Sequence, residues 1–243
     1  MVTTELAPAA GVEQAHEGLR VTKISAAAFA VSGLWYALLA EGVVQSEAPA
    51  STAGETVEAG MRSYWSWFAT TVAQERIVTG LAIAAFGTLI VSIWAIRERL
   101  AASPATAAGA LLASLGATAW IVGNVLQLGG HRAVALMATH GNPIETTNSI
   151  AFTIDMIDDA FELAAFAMLG VGLLCLASAA QRSVATSAGW TRLTAAVGAV
   201  SLGLAVAYAA GSDLVDVLIV ALAVVLVPAW LVWAGRAVRP RLA

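Results

Sequence analysis

From residue 24 onward, long apolar runs alternate with short polar clusters. Six runs approach the ~20 residues that a helix needs to cross a ~30 Å hydrocarbon layer. They cover 24–44, 75–96, 104–128, 155–180, 190–210 and 213–234. The pattern predicts an all-α fold: a polytopic membrane helix bundle with six transmembrane helices. Residues 1–20 are polar and lack the apolar core of a signal peptide, so they read as a disordered tail before a single domain, 21–243. A Pro/Ser/Gly/Glu loop, 45–60, follows the first run. Beyond it, 61–72 carries Tyr64, Trp65, Trp67 and Phe68. Aromatic residues at this density predict a short interfacial helix lying at the headgroup level.

Ser103-Pro104 opens the third run with a favourable helix start, and Gly129-Gly130 closes it. A second long polar connection, 131–147, contains the turn signal Asn142-Pro143. Asn148 or Ser149 can cap the next helix. If that helix runs on to Ala180 it is about thirty residues, or ~45 Å, long. Its first turns then project from the bilayer core or lean across the mouth of a pocket. Gly211-Ser212 makes a tight turn, with Ser212 as the N-cap of the last run.

Composition narrows the class. Hydrophobic residues make up 59% of the 243 and charged residues 12%, with a mean hydropathy of +0.81. A soluble domain is nearer half apolar and a quarter charged. Lipid is therefore the expected surrounding, with no nucleic-acid partner. The abundant alanine and other small residues suit close helix packing in a bilayer, within one chain or in a homo- or hetero-oligomer. The single cysteine, Cys175, excludes an intramolecular disulfide and any CxxC motif.

Charge sets an orientation. Six spans bring Arg20, Lys23, Arg97, Arg99, Arg182, Arg192, Arg236, Arg239 and Arg241 to one side. Only Arg62, Arg76 and Arg132 fall on the other. The positive-inside rule then makes the N- and C-termini cytoplasmic, in a multi-pass protein of the cell membrane. Most acidic residues fall on the outer side.

Candidate chemistry centres on Asp155, Asp158, Asp159 and Glu162. Their spacing of i, i+3, i+4 and i+7 puts all four on one helical face. Like charges this close need water, a cation, shared protons or a donor. Other spans bring Glu41, Glu75, Arg76, Asn124, Gln127, His131 and Asp216 to the same level. An outward-facing acidic pocket results, with all of these except His131 as candidate binding residues beside the stripe. A divalent cation would take Asp155, Asp158, Asp159, Glu162 and His131 as ligands. Plain explanations stand beside each. A solvated turn above the headgroups accounts for the three aspartates. His131 and His140 read as interface-loop histidines. Asn124 and Gln127 read as interhelical hydrogen-bond donors. Helix-end electrostatics accounts for Glu75 and Asp213. Arg76 calls for a partner among Asp155, Asp158 and Glu162.

Asp155–Asp159 resembles in composition the aspartate-rich motifs of isoprenoid diphosphate enzymes. Its DxxDD spacing, however, is neither DDxxD nor DxDD. The sequence shows no nucleotide motif, no paired mid-span histidines for haem and no intramembrane lysine for retinal. In outline the chain resembles uncharacterised six-helix membrane proteins of actinobacterial type. The resemblance rests on Arg20 and Lys23, the long first outer loop and the closing helix Pro228-Ala229-Trp230-Leu231-Val232-Trp233-Ala234-Gly235-Arg236. It implies a fold outline and no activity. Two functional readings follow. The first is a protein that binds or transports a cation, proton or cationic small molecule from the outer side, including as a sensor or accessory subunit. The second is a membrane-embedded enzyme acting on a lipid or isoprenoid, with Glu162, Asp158 or Asp216 as general acid or with Mg²⁺ on the stripe.

Overall fold

The computed structural model describes residues 20, 22–34, 56–183, 186–212 and 214–237, with backbone alone at 72–75, 78 and 237. The described residues are almost all helical and contain no strand. The helices are α1 (Thr22–Leu34), α2 (Val57–Arg99), α3 (Pro104–Thr139), α4 (Ile144–Gln181) and α5 (Ala188–Ala209). The last run comprises α6 (Leu214–Val220), a π-helical stretch (Ala221–Leu226) and α7 (Val227–Ala237). Five segments are long and apolar enough to cross a membrane: Thr79–Arg99, Pro104–Thr139, Ile144–Gln181, Ala188–Ala209 and Leu214–Arg236. The chain is thus a multi-pass helical protein suited to contact with a bilayer. Only the first part of the expected 24–44 span is described, as α1. Its remainder, with Glu41, lies outside the described residues, as does Asp213.

Three helices are longer than the sequence pattern suggests. The aromatic segment is not a separate helix but the first turns of α2, which starts at Val57 with Thr56 as its N-cap. Helix α3 passes through Gly129-Gly130 and ends at Thr139, so most of the expected polar connection is helical. The turn to α4 is short, and Gly141 occupies a left-handed conformation within it (φ 80°). The α4 N-cap position falls to Pro143, while Asn148 accepts a hydrogen bond from Trp65 Nε1 at 3.0 Å. At ~1.5 Å per residue, α2, α3 and α4 all exceed the ~30 Å bilayer core.

A second core explains why these extensions stay helical. Trp65 and Phe68 of α2 pack on Val134, Ala135 and Ala138 of α3 and on Ile144 and Ala151 of α4. Arg62 donates to the Ala138 carbonyl at 3.4 Å and to the Asn142 carbonyl at 3.2 Å, tying the start of α2 to the α3–α4 turn. The expected headgroup aromatics are instead divided between this core and its surface.

The main bundle is organised by a seam between antiparallel α3 and α4. Gly109, Gly116, Gly123 and Gly130 recur every seventh residue of α3. Each lies so close to α4 that an added Cβ would come within 3 Å of it. The nearest atoms are Gly172 O (2.8 Å), Ala165 O (2.5 Å), Asp158 Oδ1 (2.8 Å) and Ile154 Cδ1 (2.6 Å). The facing residues of α4, namely Ala151, Asp158, Ala165, Gly172 and Ala179, also recur every seventh residue, and all are buried. A shared seven-residue period keeps two helices in register along a gentle left-handed crossing. Small residues let the backbones touch, which is the main source of helix attraction once lipid has replaced water. A similar contact joins α4 to α5, where Gly170 and Gly198 meet.

Gly116 tests this seam. Gly116→Leu must push its side chain against the α4 backbone and should destabilise the protein by about 1–3 kcal/mol or more. Gly129 is the control, because a Cβ added there would meet nothing within 4 Å. Gly129→Ala should be neutral or should stabilise by up to about 1 kcal/mol. Thermal unfolding in detergent compares them, and equal melting temperatures would contradict the packing described.

Candidate functional site

Helix α4 carries the four carboxylates, and its neighbours divide them. Asp155 is half exposed and reaches α3, where its Oδ1 lies 2.7 Å from His131 Nε2. The His131 ring in turn meets Trp65 and Phe68 of α2 edge to face, with centroids 6.0 and 5.7 Å away. Asp159 is exposed. Glu162 turns the other way, to a side-chain hydrogen bond with Tyr208 of α5. Tyr208 also stacks on Phe166.

Asp158 differs from the other three. It is 5% exposed and sits in the α3–α4 seam against Gly123. Its Oδ1 is buried and has no hydrogen-bond partner among the described residues. The other buried polar side chains among those residues are threonines and serines. At the equivalent seam positions one turn-pair above and below stand Ala151 and Ala165. An alanine would pack there without difficulty, so packing does not call for a carboxylate at 158.

The level of the stripe follows from the α4–α5 contact. Gly198 meets Gly170, and α5 ends at Ala209; the same number of residues back along antiparallel α4 leads from Gly170 to Asp159. The carboxylates therefore lie where α5 ends and where, among the described helices, α2, α3 and α4 continue. Asp155 and His131 stand in the extension, Asp158 stands at its base, and Glu162 stands inside the main bundle.

The other candidates are more dispersed. Asn124 is partly buried and donates to the Trp120 carbonyl at 3.1 Å. Gln127 is partly buried, whereas Arg76 and Asp216 are exposed. Arg62 pairs with Glu58 and His131 meets Asp155, whereas Arg76 forms no ion pair with Asp155, Asp158 or Glu162. Glu75 lies on α2, but its side chain is outside the described residues. His140 bonds its own helix through the Leu136 carbonyl at 2.7 Å and does not join the carboxylates. Among the described residues, no three His, Cys, Asp or Glu side chains come close enough to hold a metal ion. Tyr208 is the participant that the sequence reading missed. It lies on an apolar helix with no charged neighbour to draw attention to it.

Comparison with known proteins finds no matching family model, no similar curated protein and no similar solved structure.

Stability reports directly on the Asp158 environment. Asp158→Ala continues the small-residue register and removes an unpartnered buried oxygen. It should raise stability, by about 1–3 kcal/mol, read as a higher melting temperature in detergent micelles. A lower melting temperature would show that the carboxylate has a stabilising partner in the folded protein.

Proposed function

We propose that this is an integral membrane protein that binds a proton or a small monovalent cation at Asp158, with Glu162 and the Asp155–His131 pair completing the site. One observation carries the reading: a buried carboxylate oxygen without a partner, in a seam where its neighbours are alanine and glycine. A carboxylate in such surroundings is accommodated by a proton, a cation or a donor. The described residues supply no donor to Asp158 Oδ1.

Among the described residues, acidic and histidine side chains do not gather in threes, and a proton or monovalent cation on Asp158 is the ligand we infer. The half-exposed Asp155–His131 pair provides a stepping point between water and Asp158. Glu162 with Tyr208 provides a second acceptor one turn deeper. The stripe lies at the end of the bundle that carries Arg62, Arg76 and Arg132. Arg97, Arg99, Arg182, Arg192 and Arg236 lie toward the other end. By the positive-inside rule this supports access to the site from outside the cell, with cytoplasmic termini. The reading is one of binding and sensing at a single face.

Infrared difference spectroscopy of the protein in nanodiscs tests this reading. Spectra recorded between acid and alkaline pH should contain a carboxyl C=O band that Asp158→Asn removes. If sodium or potassium is the ligand, adding that salt at fixed pH should shift the same band. Gly123→Ala should perturb the band too, because the new methyl group meets Asp158 Oδ1 at 2.8 Å. Spectra without any Asp158-dependent response to pH or salt would overturn the reading.

A further inference from the structure

A cavity of about 110 Å³ lies at the centre of the bundle, walled by residues of α1 to α7 and the π-helical stretch. It is separate in kind from the carboxylate stripe, since no charged side chain among the described residues lines it. The geometry points to a binding site for an uncharged, ring-sized apolar group that carries one hydrogen-bonding atom.

Size, wall chemistry and backbone shape support the assignment. Apolar cavities of about 150 Å³ stay dry and accept benzene, so this one suits a group of similar or slightly smaller bulk. Phe86 and Trp120 form a flat, stacked wall, with ring centroids 4.1 Å apart and planes 13° from parallel. Phe29 braces Phe86 from α1 at 5.0 Å. Asn124 supplies the polar handle, beside the hydroxyls of Ser32 and Ser201, of which Ser201 donates to the Val197 carbonyl. One N–H group of Asn124 bonds the Trp120 carbonyl, while its carboxamide oxygen and second N–H are available to a ligand. Opposite stands the π-helical stretch, which contributes Leu222 and Ala223 to the wall. Single π turns within α-helices are uncommon and are frequent at functional sites. Gly33 of α1, also in the cavity wall, packs directly on this stretch: a Cβ added there would come within 2.6 Å of Ala223 Cβ.

The group belongs either to a free small molecule or to a lipid that bears such a ring. The probe is 4-fluorophenol, followed by ¹⁹F NMR with the full chain in nanodiscs and empty nanodiscs as the blank. The expected result is a saturable bound signal that Ala82→Leu, which fills the cavity, abolishes. Asn124→Leu should weaken binding roughly tenfold. Asp158→Asn should leave it unchanged, which separates this site from the proton or cation site. Native mass spectrometry supplies the second arm. A retained adduct with the mass of a ring-bearing lipid that Ala82→Leu removes supports the site and assigns it to that lipid. Saturable probe binding without such an adduct supports it and assigns it to a free molecule. The proposal is overturned if there is neither saturable binding nor an adduct. It is also overturned if both persist unchanged in Ala82→Leu and Asn124→Leu variants that melt as the parent does.

Discussion

The close approach of α3 and α4 is the contact on which the rest of the structure depends. In lipid, apolar side chains gain little by leaving one apolar surrounding for another, so helices associate through tight packing and interhelical hydrogen bonds. Gly109, Gly116, Gly123 and Gly130 supply that packing with backbone instead of side chain. Ala151, Ala165 and Gly172 answer them from α4. Once this pair is fixed, α2 docks on α3 and α5 docks on α4. The seam runs beyond the end of α5, so the paired helices form a rigid stem on which the second core, around Trp65 and Phe68, is assembled.

The same constraint gives Asp158 its character. Position 158 has to be small and neutral to serve the seam well, yet it carries an acid. Buried charges are paired, protonated or matched with a cation in stable proteins. A carboxylate at a position suited to alanine marks a departure from packing requirements, and such departures concentrate at functional sites. Asp155, Asp159 and Glu162 lack this tension. Asp155 has His131, Asp159 faces out, and Glu162 has Tyr208.

Much of the architecture was legible from the sequence, for physical reasons. Apolar runs longer than a bilayer is thick announce helices, and the ends of α5 and α7 fall close to where the pattern stops. The errors cluster in 57–72 and 131–147, where polar residues interrupt the apolar pattern. Those residues are helical because three extended helices bury Trp65, Phe68, Val134 and Ile144 among themselves. Hydropathy read one segment at a time does not register such a tertiary contact. The glycine repeat in α3 was present in the sequence, at a strict seven-residue spacing, but it is a repeat of packing positions and not of a motif. The i, i+3, i+4, i+7 spacing of the carboxylates was also legible. Which neighbour each acid meets was not, because side chains within one such stripe still fan around the helix and meet different partners. That spread separates Asp158 from Asp159, adjacent residues with opposite surroundings.

The most direct measurement is side-chain ¹³C NMR of Asp158 and Asp159 in the nanodisc-embedded protein, with Asp158→Asn and Asp159→Asn providing the assignments. The account predicts that the carboxyl signal of buried Asp158 shifts when Gly123→Ala disturbs the seam, while that of exposed Asp159 stays in place. An Asp158 signal indifferent to Gly123→Ala would contradict the placement of Asp158 inside the α3–α4 contact and the function drawn from it.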